Sequence, residues 1–222
     1  MFNLCVDSFG IKSNKLDYAH HLLNAIRKYF KLSIDWEGQN SLGLTLYWNY
    51  TKNYIDVSMH GYVPTTLQRF QHKLPAHVQD APHSWNKPVY GKQIQLATQQ
   101  SSLPNLKSTD TNRVQSINRN FFYYARAVYP TMLSSLNNIS TCQYSLTQGT
   151  LEKFNQVLDY ASTQLNSNIR YHISDMILMT YTDASYLVFL PSCSRIAGHY
   201  YFTKRMPDYF KVNPTPNGPI LT

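Results

Sequence analysis

Glutamate is almost missing from this chain: Glu37 and Glu152 stand beside ten aspartates in 222 residues. Charged residues of all kinds make up 14% of the chain, against roughly 25% in ordinary soluble domains. So thin a supply of carboxylates leaves little for a carboxylate-rich metal enzyme, and the charge is too low for a charge-driven disordered chain. Cysteine is scarce too. Cys5, Cys142 and Cys193 are odd in number and far apart, which argues against a disulfide framework or a Cys-based zinc site. They read as free thiols in a reducing compartment. With eight glycines and no GxxxxGK[ST], GxGxxG or GxSxG, no glycine-based phosphate cradle is supported. The eight histidines show no HExxH. No run approaches ~18 consecutive apolar residues, so no transmembrane helix is readable. Met1 to Asp7 has no basic stretch before an apolar one and does not read as a signal peptide. The sequons at Asn49 and Asn138 are therefore read as chance matches.

What is present is apolar, aromatic and basic. Apolar residues reach 43% and aromatics 14%, with 18 tyrosines. That is enough for a real core in a chain this long. The tyrosines read first as core and half-buried packing, with base stacking as the second use. Lys and Arg exceed Asp and Glu by 20 to 12, a net charge of +8, which suits a surface that meets polyanions.

Periodicity gives an α+β chain. Leu4 to Ile11 reads as a strand, a tight turn and a strand. Asn14 could cap a helix carrying Leu16, Ala19, Leu23, Ile26 and Phe30. Leu32, Ile34 and Trp36 alternate, predicting a strand over 31–36. Leu42 to Trp48 and Ile55 to Met59 alternate around a polar turn and predict a hairpin. Pro64 suits the first turn of a short helix ending near Phe70. Residues 72–112 hold four prolines and little periodicity, a long loop that is either functional or a linker. Three helices follow, over 111–128, from Pro130 through Ile139, and over 148–164. Strands are predicted at 168–172, at 176–182 and at 195–204. No internal repeat is visible.

Two acids stand out by context. Asp7 sits at the first hairpin tip and Asp183 at a predicted strand end. Two-metal catalysis places its ions about 3.5–4 Å apart among several carboxylates, and neither acid has that company nearby in sequence. Spacing alone makes each a turn or cap residue. Arg69, Lys73, Arg113, Arg119 and Arg126 read equally well as a phosphate-contacting face or a solvated one.

Taken in order, several segments resemble the polymerase region of copia-type long-terminal-repeat retrotransposons. Val6-Asp7-Ser8-Phe9-Gly10 resembles the VDDFG form of the reverse transcriptase YxDD hairpin. Leu42-Gly43-Leu44-Thr45-Leu46 resembles the primer-grip hairpin. Ser58-Met59-His60-Gly61-Tyr62-Val63 and Leu67-Gln68-Arg69-Phe70 resemble the strand and helix leading into the thumb. Phe122 to Met132 resembles the YLARATRPD box. Thr182-Asp183-Ala184-Ser185-Tyr186 resembles the opening strand of ribonuclease H.

The resemblance implies a palm remnant over 1–63, a helical thumb over 64–165, and the first strands of a ribonuclease-H-like mixed sheet over 166–222. It implies RNA-directed DNA polymerase and ribonuclease H activities in the parent family, each using Mg²⁺ held at Asp7 and Asp183. Leu42, Gly43, Leu44, Arg69 and Arg126 become nucleic-acid-binding candidates. RNA, DNA or their hybrid, and the rest of a pol polyprotein, become the expected partners, with no membrane. The setting would be intracellular, in a cytoplasmic virus-like particle or the nucleus. Ser8 stands where the family carries its second catalytic Asp, and the fingers and later ribonuclease H acids are expected outside this sequence. A chain inactive by itself is therefore the leading expectation. A nucleic-acid-binding remnant and a piece of a larger active polyprotein are the alternatives.

Overall fold

The computed structural model describes residues 2–5, 8–84, 104–142, 146–189, 193–205 and 216–221. The chain is α+β, and every strand pairing among the described residues is antiparallel. A hairpin of β1 (Phe2–Cys5) and β2 (Ser8–Ile11) comes first. Helix α1 (Leu16–Arg27) follows and turns Ala19 and Leu23 inward. Its N-cap is Lys15, with no side-chain cap, so Asn14 does not take the predicted role. The strand predicted over 31–36 does not form. Asp35 instead accepts backbone N–H groups from Glu37, Gly38 and Asn40 at 2.8–3.2 Å. Those bonds, Asn40 foremost, hold its carboxyl below the usual range. A short polar side chain has outbid a ladder for the backbone donors.

Strands β3 (Asn40–Ser41), β4 (Leu44–Asn49) and β5 (Tyr54–Ser58) form the predicted hairpin region. Helix α2 (Tyr62–Arg69) comes next. The described residues at the start of the long loop are strapped along a later helix, α5 (Gln148–Thr163). His72 Nε2 meets Asp159 at 2.8 Å, and the Ser84 hydroxyl donates to Gln156 Oε1 at 2.9 Å. At the other end of that loop, Ser108 already begins α3 (Ser108–Ala127). A 3₁₀ turn at Pro130–Met132 leads into α4 (Leu133–Thr141).

The helices form because their apolar residues recur at 3–4-residue spacing. In α3 these are Val114, Ile117, Phe121, Tyr124 and Ala125, all buried. Asp110 in its first turn and Arg126 in its last both complement the helix dipole. α3 packs on α4, α4 on α5, and α2 on both α3 and α5. Phe121, Met132, Leu136, Phe154 and Leu158 lie at or below 1% exposure in the shared core. Each such side chain contributes about 1.5–3 kcal/mol by leaving water. Asn118, buried between helices, donates to Ser140 Oγ at 2.8 Å and pins α3 to α4. The expected tyrosine packing appears as a chain of rings. Tyr62 stacks on Tyr124 at 5.6 Å, and Tyr129 stacks on Tyr160 at 5.7 Å.

β6 (Asn168–His172) corrects the expected grouping of strands. It was placed with the C-terminal segment 166–222, yet it pairs along its length with β5, Ser58 against Asn168 through Tyr54 against His172. The sheet order is β3-β4-β5-β6. Asp56 and Arg170 face each other in this register and form a bidentate pair at 2.7 and 2.8 Å. The guanidinium also lies 3.8 Å from the Tyr54 ring centroid. Leu44, Leu46, Ile55, Val57 and Tyr171 face the helical core.

A second sheet holds β7 (Ile177–Phe189), β8 (Cys193–Thr203) and β9 (Pro219–Leu221). Its described pairings are antiparallel where a mixed sheet was expected. β7 runs well past the predicted end at Thr182. Asn217 joins the two sheets. Its side-chain amide donates to His172 O and Phe202 O at 3.1 and 2.8 Å, and its carbonyl accepts from His172 N at 2.7 Å. Gly218 N donates to Arg170 O, and the Tyr171 hydroxyl donates to Pro219 O at 2.9 Å.

Candidate nucleic-acid interface

The turn between β3 and β4 is two residues long, since Ser41 pairs with Leu44. A two-residue hairpin turn of type I′ needs positive φ at both positions. Leu42 has φ 53° and Gly43 has φ 77°. Glycine takes this conformation freely, whereas a leucine there costs roughly 1–2 kcal/mol. From α3 the Tyr123 hydroxyl donates to the Leu42 carbonyl at 3.1 Å. The exposed turn is thereby fastened to the helices.

Beside this turn lies an open groove of about 330 Å³. The turn supplies Gly43, the end of β5 supplies Met59 and His60, α2 supplies Tyr62 and Arg69, and α3 supplies Asn120. Gly61, at φ 74°, makes the sharp entry into α2. Tyr62 lines the groove, and its hydroxyl donates to Asn120 O at 3.0 Å. Burial, with Tyr123 beside it, raises the Tyr62 phenol, so it stays a donor at neutral pH. Arg69 is exposed, with its guanidinium 5.4 Å from the Phe70 ring.

Two candidates from the sequence, Gly43 and Arg69, thus share one groove, and Leu42 is at its edge. Leu44 turns into the core and serves packing. Arg126 lies exposed in the last turn of α3, over the Phe122 ring at 5.7 Å, and does not line the groove. His60, Tyr62, Asn120 and Tyr123 were not singled out for roles. His60, Tyr62 and Tyr123 lie inside recognised segments, but nothing in one-dimensional spacing shows that α3 reaches the first two.

The metal candidates separate differently. Asp7 lies outside the described residues. Ser8 contributes its backbone to β2, opposite Cys5. Asp183 sits within β7, opposite Ala197, and not at a strand end. It is exposed, and its Oδ1 accepts the N–H of Ala184 at 2.8 Å. Among the described residues no three His, Cys, Asp or Glu side chains converge. One exposed carboxylate bonded to the N–H of the next residue does not fit a two-metal Mg²⁺ centre, which requires several carboxylates. Among the described residues no helix is long and apolar enough to cross a membrane. Comparisons with protein-family models, with curated proteins and with solved structures found no match.

Proposed function

We propose that this chain is a copia-type retroelement polymerase segment whose own capacity is to grip nucleic acid, with the groove at Gly43, His60 and Arg69 contacting the sugar–phosphate backbone. The supporting observation is the meeting of a primer-grip-like turn with an exposed arginine in one open groove. A glycine at the turn lets a backbone approach closely. The N–H donors of Arg69 match phosphate oxygens. RNA–DNA hybrid is the preferred partner in this reading, and the rest of a pol polyprotein is the second.

Catalysis is not part of the proposal for this chain. Ser8 in place of an aspartate removes a charged ligand, and with it electrostatic stabilisation of phosphoryl transfer. The test is fluorescence anisotropy with labelled RNA–DNA hybrid, beside a primer-extension assay. Salt-sensitive binding is expected, with Arg69→Ala lowering the slope of log K against log[salt] by about 0.9. Primer extension by the unmodified chain, or a slope unchanged by Arg69→Ala, would overturn it.

A further inference from the structure

Among the described residues the groove is lined by one imidazole. His60 is exposed at the end of β5, and its Nε2 lies 3.2 Å from Ser58 Oγ. That hydroxyl donates to Thr45 O at 3.4 Å. A hydroxyl held by Thr45 O can accept from an Nε2–H, and the charged ring carries hydrogen on both nitrogens. Protonation leaves the Ser58 bond intact. It adds a unit charge and a second N–H donor, with no rearrangement of the ring's anchor.

The surroundings favour that charge when a phosphate arrives. Among the described residues, the titratable and charged groups lining the groove are His60, Tyr62 and Arg69, with no carboxylate. The β3–β4 turn contributes Gly43 and α3 contributes Asn120, both uncharged. The phenol of Tyr62 remains a neutral donor to Asn120 O. An imidazolium here shares the groove with Arg69, so alone it meets like charge, and a bound phosphate relieves that repulsion. Imidazole side chains commonly change charge between pH 5 and 8.

We infer that His60 is a proton-dependent phosphate contact in this groove, so that the grip on a nucleic-acid backbone tightens as pH falls. The inference rests on the proposed reading of the groove and adds its regulation. It gives the site two cations at acidic pH and one at alkaline pH.

The experiment measures hybrid affinity against salt at pH 5.5 and pH 8.0 for the full chain, His60→Gln and His60→Lys. One added phosphate contact steepens the salt slope by about 0.9. The wild type is expected to steepen by about that much more than His60→Gln on acidification. His60→Lys should hold the steeper slope at both pH values. All three are compared by difference, so the other seven histidines cancel. His60 is exposed, which spares the fold in both variants. Equal pH responses in wild type and His60→Gln would overturn the inference and leave the grip standing. No binding at either pH would overturn the grip, and the inference with it.

Discussion

Gly218→Ala tests whether the seam between the two sheets is as tight as its contacts indicate. A β-carbon built on Gly218 meets Tyr171 Cδ1 at 2.6 Å, Tyr171 Cε1 at 2.7 Å and Ile169 Cγ2 at 2.8 Å. Real β-carbons do not sit so close, so something must move. Ile169 is buried in β6, and the Tyr171 ring is held by its hydroxyl bond to Pro219 O. Either the ring swings and that bond breaks, or residues 217–219 lift from β6. Overpacking costs ~1–3 kcal/mol. One lost hydrogen bond adds ~1 kcal/mol. The combined loss of about 2–4 kcal/mol corresponds to a fall in Tm of about 4–16 °C for a chain of this size. Calorimetry of both proteins measures it. The cause is isolated by repeating the substitution in a Tyr171→Ala background, where the ring is gone and the penalty should shrink. A change within about 0.5 kcal/mol, or an equal loss in both backgrounds, would refute the close-contact reasoning.

Two predictions concern pH. The Arg170 guanidinium beside Asp56 holds its carboxyl below the usual range. Its contribution is therefore full above the ordinary carboxylate pKa and is lost as pH falls through the depressed folded value. Acid denaturation followed by circular dichroism should show a shallower acid limb in Asp56→Asn. Tyr201, fully buried beside Tyr181, has its phenol pushed up to about 12. A raised phenol contributes stability below its unfolded value, near 10, and loses it as pH rises toward about 12. Ultraviolet titration should show one fewer late-ionising phenol in Tyr201→Phe than in the unmodified chain.

The helical part of the fold was legible because it is local. Val114, Ile117, Phe121 and Tyr124 announce one face of a helix whatever lies far away in the chain. The β4–β5 hairpin was legible for the same reason, since its partners flank one turn. Leu32, Ile34 and Trp36 alternate just as well, yet no strand forms, because the side chain of Asp35 takes the backbone donors. The end of β7 was misplaced because Asp183 and Ala184 look like a strand terminus locally. Their pairing with Ala197 and Ile196 across the sheet carries the strand on. The partner of β6 could not be read at all, for it lies more than a hundred residues earlier. The groove divides the same way. Gly43 and Arg69 carried individual signals, but their convergence depends on α3 anchoring the turn through Tyr123.

The β5–β6 ladder also has a consequence for the chain as a connected object. It closes a loop that contains α2 through α5, so a backbone cut between Arg69 and Ser108 would not divide the molecule into independent halves. The N-terminal piece would keep β5 and α2 but lack the neighbours that cover them. The C-terminal piece would keep β6 and helices α3, α4 and α5 with an unfilled core. Each would hold the missing edge and the missing apolar face of the other. Mixed in solution, such pieces are expected to restore one fold, β6 pairing with β5 and α2 packing on α3 and α5 as in the intact chain.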